Sequence, residues 1–346
     1  MARGDDGIQV SVADIETVLK RVFPPSLLPE QEAAVLIDTL IDAELRGVKS
    51  HGLSRVKMYR QKILNGSMVV PTRLERLADR QATARLDGQD GLGQWIAYRA
   101  MSDAIAKAAV YGVGAVSVCN SQHFGTAGYY AQMATEKNMV GMVFTNASPR
   151  LAPWGGATPM LGNNPWSIAL PTHVAGIPFV LDISNAVSSA GRIRLAAKRG
   201  EPIPETWALD KDGNPTTDPV AALAGILLPF GAHKGYGITL AVSMLTSLLA
   251  GGVPDARVET MDDPDRVQRV SHFFIALNID FFLPVSDFKR EIQALIGRLH
   301  GSQKLPQVKQ IYYPGERGYQ QKKMLLAAGS VYVDAAIWQG ILALAG

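Results

Sequence analysis

Apolar residues recur at helical spacing over residues 11–65, in three runs: Val12–Val22, Pro29–Arg46 and Leu53–Leu64. The Pro24-Pro25 pair and Gly47 separate them, because proline cannot continue a helix and glycine commonly stops one. Gly66 closes this helical unit, and after Pro71 the texture changes. Ala82–Leu86 predicts a short strand that ends in the Gly-rich turn Asp87–Gly93, and an Ala-rich helix follows over Trp95–Tyr111. Two β-like runs, Gly114–Cys119 and Val140–Asn146, flank a predicted helix over Gly128–Lys137, so the middle of the chain reads as mixed α/β. Phe179–Ile183 predicts another strand, Ala186–Gly200 a helix, Tyr236–Ala250 a long apolar helix and Phe273–Phe282 a strongly apolar strand. Phe288–His300 and Ala335–Ala345 predict closing helices. Between these elements, Ala147–Pro171 is rich in Gly, Pro and Asn and reads as an ordered functional loop, whereas Asp210–Asp218 is turn chemistry throughout.

A chain of 346 residues exceeds one typical domain, so a large fold with two lobes or domains is expected. Hydrophobic residues at 47% and charged residues at 19% describe a soluble globular protein with a sizeable core. The net charge of +3 is too small and too evenly spread to argue for nucleic acid. Cys119 is the single cysteine, which leaves no disulfide framework and no thiolate cluster; its apolar setting makes it a buried small hydrophobe. No apolar stretch reaches the roughly 18 residues expected of a membrane span. The acidic start MARGDDG lacks a signal core, so a cytoplasmic protein is expected. No metal-ligand spacing is present, and no metal is expected. The dinucleotide fingerprint is also missing: Gly112-Val113-Gly114 follows a helix and precedes a strand, the reverse of its usual setting. Gly231 to Gly235 echoes a phosphate loop without its spacing.

The candidate chemistry lies in four clusters. Ser50-His51-Gly52-Leu53-Ser54-Arg55 through Tyr59 places a hydroxyl, an imidazole, a guanidinium and a phenol close together. If a helix resumes after Gly52, His51, Arg55 and Tyr59 share one face, and a proton-transfer group beside a carboxylate clamp suits a small oxo- or hydroxy-acid. His123, in Asn120–Gly125 at a strand end, is a second candidate proton carrier or cofactor contact. Asn146 in Thr145–Pro149 and Asn163 in Gly162–Pro165 could turn amides toward a substrate, or simply build turns. Asp182-Ile183-Ser184-Asn185 ends a strand before a helix, and Pro229–Gly237, with His233 and Lys234, opens the long apolar helix. Either helix start could receive phosphate, and capping alone would explain the first equally well.

These landmarks, with Glu44–Gly52 and Tyr313–Glu316, resemble the type 2 malate/L-lactate dehydrogenase family from about residue 10 to the C-terminus. The resemblance implies NAD- or NADP-dependent hydride transfer between a 2-oxo and a 2-hydroxy acid. It also implies a non-Rossmann α/β (α+β) fold and a homodimer. A helical domain would come from both chain ends (residues 1–75 and 295–346), around a central mixed-sheet nucleotide-binding domain (76–294). Carried over by position, His51 matches a proton donor with Ser50 as its relay neighbour, Arg55 a substrate-carboxylate ligand, and His123 the acid/base of another branch. Tyr59, Asn146 and Asn163 then stand on the substrate side. Asp182, Ile183, Ser184 and Ser188, His233 and Lys234, and Pro314, Gly315 and Glu316 match nucleotide-contacting segments.

Two positions depart from the family pattern. Asn163 stands where a Thr is usual, and Arg192 stands where cyclic imino acid reductases of the family carry an acid, which makes the imine reaction the lesser alternative. Outside oxidoreductases, a Ser/His hydrolase on Ser50-His51 is disfavoured because adjacent residues rarely reach nucleophile–base geometry and no nucleophile elbow is present. A catalytically silent ligand-binding protein is the other alternative.

Overall fold

The computed structural model describes residues 7–173 and 176–346; the acidic start up to residue 6 lies outside them. The chain opens with β1 (Gly7–Ser11), α1 (Val12–Val22), α2 (Glu30–Leu45) and α3 (Val56–Leu64). Then come β2 (Glu75–Arg80), β3 (Thr83–Asp87), α4 (Gly93–Tyr111), β4 (Val113–Ser121), α5 (Ala127–Thr135) and β5 (Met139–Thr145). The next stretch holds β6 (Trp166–Leu170), β7 (Phe179–Ile183), α6 (Ala190–Arg199), β8 (Ala208–Leu209), α7 (Pro219–Ala224), β9 (Ile226–Leu227) and α8 (His233–Ser243). The chain closes with β10 (Val270–Asn278), α9 (Val285–His300), α10 (Glu316–Ala328), β11 (Ser330–Asp334) and α11 (Ala335–Ala345).

Seven strands form one mixed sheet in the order β2-β3-β4-β10-β5-β6-β7. Only β3 and β4 run parallel; every other neighbouring pair is antiparallel. The late strand β10 takes the centre, pairing with β4 on one side and β5 on the other, with Phe274 and Ala276 fully buried. Helices α4 and α5 press directly on β4 and β5 through two glycines. A Cβ on Gly114 would stand 1.9 Å from the Ala104 carbonyl oxygen, and one on Gly141 would stand 2.0 Å from that of Ala131. No side chain fits at either place, so the helices dock closer than alanine would allow.

Three cores result. One lies between the sheet and α4–α5 and includes Ile296, Tyr313 and Tyr319 from the C-terminal part. A second gathers α1–α3 with Val331, Val333, Trp338 and Ile341, so both chain ends meet there, tied by the antiparallel β1–β11 pair. Ser11 caps α1 by accepting from the Asp14 amide at 3.0 Å, and Asp334 caps α11. The third, smaller core holds Leu151, Leu161, Ala186, Ile193 and Leu227, and it carries the loops that line the candidate site.

Several boundaries shift for local reasons. The expected helix from Ala186 begins only at Ala190, where Ser189 caps it. The strand expected to reach Phe282 ends at Asn278 and is followed by a 3-10 turn, Ile279–Phe281. α8 continues through a π-helical turn, Met244–Leu248. The Gly/Pro/Asn-rich stretch after Ala147 contains the strand β6, which that composition masked.

Candidate active site

The first cluster folds as two 3-10 turns, Lys49–His51 and Leu53–Arg55, hinged at Gly52. Buried Glu44 at the end of α2 anchors the hinge by accepting from the Leu53 amide at 3.1 Å. His51, Arg55 and Tyr59 therefore do not share a continuous helical face. Ser50 Oγ lies 2.9 Å from His51 Nδ1, so these adjacent residues do meet. The hydroxyl takes Nδ1 and leaves Nε2 for the cleft. Arg55 is held by donating from Nε to the Ser50 carbonyl at 2.6 Å.

His123 follows β4 and stacks on His51, with ring centroids 5.4 Å apart. Its Nδ1 lies 2.6 Å from the Tyr59 hydroxyl and 3.4 Å from the Gly125 amide. A backbone amide can only donate, so Nδ1 accepts and the proton sits on Nε2. The Gln268 side-chain oxygen accepts from the His123 amide at 3.0 Å and fixes the backbone. Tyr59 is completely buried. It stands behind His123 rather than on the cleft wall.

A third histidine escaped sequence reasoning. His272, on the central strand β10, is fully buried between Thr145 Oγ1 and Ser121 Oγ, each 2.8 Å from a ring nitrogen. It joins the ends of β4 and β5 beneath Phe124, whose ring lies 4.5 Å away. Burial lowers its pKa to about 3. Burial also lowers His51 to about 4, helped by the Arg55 and Arg46 charges, and holds His123 well below its ordinary value. All three are neutral at physiological pH. For His272 the unfolded chain takes a proton near pH 6.5 while the fold resists it down to about 3. The stabilisation from keeping it neutral is therefore complete above pH 6.5 and drains as pH falls; at pH 5 one such group has lost roughly 2 kcal/mol. Urea midpoints at pH 7.5 and pH 5 are expected to drop further apart in the parent than in His272→Asn; equal drops would contradict this.

The cleft that His51 and His123 face encloses about 170 Å³. Ser50, Arg55, Ser148, Arg150, Asn163, Arg194 and Asp262 are among its walls. Asp262 reaches Arg194 at 2.5 Å and Arg55 at 3.7 Å. The strap carrying Asp262 is moored to α3 and the turn after it: Lys62 donates to the Asp263 and Arg266 carbonyls, and Ser67 to the Pro264 carbonyl. Asn146 and Asn163 both line the cleft. The Asn146 amide is fully engaged inside, donating to Val253 and Asp255 and accepting from the Ser271 amide. Buried Asp255 is the hub beneath the loops, accepting from Asn146, the Gly162 amide, Asn164 and Ser243 at 2.6–3.1 Å. Arg150, Arg194, Asp255, Asp262 and Gln268 were not singled out from the sequence. The only cue was that Arg150 directly follows the Thr145–Pro149 cluster.

The segments around Asp182 and Pro314 meet at the edge strand β7, and the segment around Lys234 lies beside the chain that follows it. The Val180 amide donates to the Pro314 carbonyl at 3.0 Å, which seats the Pro314-Gly315-Glu316 turn on the strand. The chain beyond Ile183 and Ser184 runs beside the entry to α8, where the Phe230 amide donates to the Asn185 carbonyl at 2.9 Å. His233 and Lys234 are exposed there, at a helix start with no side-chain cap. Ser188 is buried, and its hydroxyl has no hydrogen-bond partner. Two acids point elsewhere. Asp182 accepts from the Gly128 amide at the start of α5, and Glu316 is engaged by His300, Gln320 and the Tyr313 amide. Among the described residues no group of acidic, His or Cys side chains could hold a metal ion, and no helix is long and apolar enough to cross a membrane.

The malate/L-lactate dehydrogenase family profile matches residues 10–342. A malate dehydrogenase from Pyrococcus abyssi is 37% identical over 330 residues, covering 93% of this chain and 90% of that protein. An L-sulfolactate dehydrogenase from Methanocaldococcus jannaschii is 38% identical over 289 residues, covering 84% of this chain and 83% of that one. The solved structure of malate dehydrogenase from Pyrococcus horikoshii OT3 superimposes with a TM-score of 0.89 at 34% identity, covering 99% of this chain and 95% of that chain.

Proposed function

From the premise that the chain belongs to the malate/L-lactate dehydrogenase family, an oxidoreductase family acting on 2-hydroxy acids, we propose how its cleft works. The carrying observation is the stacked His51–His123 pair on the same cleft as the anchored Arg55. Arg55 binds the substrate carboxylate in a two-toothed grip, its orientation set by the Ser50 carbonyl. His123, with its proton fixed on Nε2, donates to the substrate oxygen and orients it. His51 carries the proton that the oxygen gains on reduction and loses on oxidation. His51 has a route to bulk water through the exposed Ser50 hydroxyl; behind His123 stands buried Tyr59, whose phenol burial makes a poorer acid still.

A nicotinamide cofactor, NAD or NADP, supplies or accepts the hydride when bound. The residues present fit such a group: the unpartnered Ser188 hydroxyl, the uncapped start of α8 and Lys234 lie along the chain that leaves β7 past Ser184, and the Pro314-Gly315 turn sits on the same strand at Val180. We read the binding mode as non-Rossmann, the chain as dividing into a helical unit from both ends around an α/β unit, and the working form as a homodimer. The exposed apolar residues Leu245, Leu248 and Leu249 at the end of α8 support the last point.

Arg55→Lys is expected to raise KM for the acid about 10- to 100-fold with little change in kcat, because a point charge replaces a planar fork. Steady-state kinetics decides this, and an unaltered KM would remove Arg55 from the substrate.

A further inference from the structure

Three arginines line one small cleft, Arg55, Arg150 and Arg194. A single small monocarboxylate needs one. Asp262 is the one carboxylate among the lining side chains, and it bonds to Arg194 and approaches Arg55. Arg150 is different. It is half-buried, yet its guanidinium has neither an ion pair nor a hydrogen-bond acceptor among the described residues. Its backbone is fixed on both sides, the amide donating to the Leu161 carbonyl and the carbonyl accepting from the Leu227 amide, each at 2.8 Å. A fixed, partly desolvated cation without a partner is unfavourable unless an anion arrives to take it. Counting lining charges, three guanidinium groups less one carboxylate leave an excess of two positive charges, which a substrate with two anionic groups balances and a monoanion does not.

We propose that Arg150 is the receptor for a second anionic group on the substrate, so that this cleft selects 2-hydroxy acids with a carboxylate or sulfonate at the far end. Arg55 holds the carboxylate next to the reacting carbon and Arg150 holds the distal anion. Asp262 keeps Arg194 neutralised and so excludes it as a competing receptor. The proposal rests on the functional reading above for the reaction, but its charge argument concerns binding alone.

The test is calorimetric titration of the enzyme, saturated with whichever of NADH and NADPH it binds more tightly, with L-malate, sulfolactate and L-lactate, alongside the kcat/KM of each acid in the oxidative direction. The parent should bind both dianions at least tenfold more tightly than lactate. In Arg150→Gln the dianion-to-lactate ratio should fall about 10- to 100-fold in both readouts, as expected for a lost charge-assisted contact, with Arg150→Lys intermediate. The relative size of the malate and sulfolactate losses distinguishes carboxylate from sulfonate. Equal losses for lactate and the dianions would overturn the proposal, as would a parent that does not prefer dianions. A weakened affinity for that nucleotide in Arg150→Gln would overturn it too, by assigning the cation to the nucleotide. Selective binding without turnover would instead sustain Arg150 as the receptor and sink the dehydrogenase reading.

Discussion

His51→Ala is expected to lower kcat by about 10²–10⁴-fold in both directions while binding of the reduced nicotinamide cofactor is retained, since positioned proton transfer typically contributes that much. The expectation follows from the wiring of the two histidines. His123 is locked as an Nε2 donor by the Gly125 amide and backed by buried Tyr59, whereas His51 meets solvent through Ser50. A pH profile separates an acid/base role from a structural one. Burial and the neighbouring Arg55 and Arg46 charges hold His51 at about 4. Reduction needs the protonated ring, so kcat/KM for the oxo acid should rise about tenfold per unit as pH falls from 8 toward 6. Oxidation needs the neutral ring, and the His51 contribution there should be flat over the same range. In His51→Ala the reductive slope should vanish. Unchanged turnover in His51→Ala, together with abolition in His123→Ala, would exchange the two roles.

The second large effect is expected at Asp255, which touches no substrate. Its carboxylate accepts four hydrogen bonds that tie the Asn146 and Gly162–Asn164 loops to α8. In Asp255→Ala the Gly162 amide loses its acceptor, and the Asn146, Asn164 and Ser243 side chains lose one each. With each orphaned buried donor costing about 1–3 kcal/mol, a total loss of about 3–5 kcal/mol is expected. Because these loops form the cleft wall at Ser148, Arg150 and Asn163, kcat/KM should fall about 100-fold in the surviving folded protein, the usual consequence of displacing positioned groups by an ångström. Denaturant unfolding and kinetics on the same preparation measure both. A loss under about 1 kcal/mol with intact activity would show that the hub is dispensable.

Much of the fold was readable because its core elements have strong periodicity or strong apolarity. Val12–Val22, Phe179–Ile183 and Ala335–Ala345 stand where the pattern put them. The elements that escaped lack that signal. β2, Glu-Arg-Leu-Ala-Asp-Arg, is exposed along its whole length at a sheet edge, so no apolar alternation marks it. α10 begins with eight mostly polar residues, Glu316–Lys323, and only then turns apolar. At the site, Ser50, His51, Arg55, His123 and Asn163 were legible as chemistry, and the cleft brings them together. Tyr59 was legible as a phenol but not as the support of His123, because its partner lies 64 residues away. His272 was hidden inside an apolar strand, where imidazole reads as an interruption until Ser121 and Thr145 come alongside. Asp255 and Asp262 sat in an acidic, turn-like stretch whose composition suggests plain solvent exposure. Their partners come from other elements, and only the folded chain supplies them.

The central claim is hydride transfer between a nicotinamide and an open-chain 2-oxo or 2-hydroxy acid. The most direct measurement is absorbance at the reduced-nicotinamide band, with NADH and NADPH in parallel, on adding 2-oxo acids with and without a second anionic group and, separately, a cyclic imino acid. The band is expected to fall with an oxo acid, faster with the dianionic ones. A band that is lost only with the imine, or that persists across the panel, would contradict that claim.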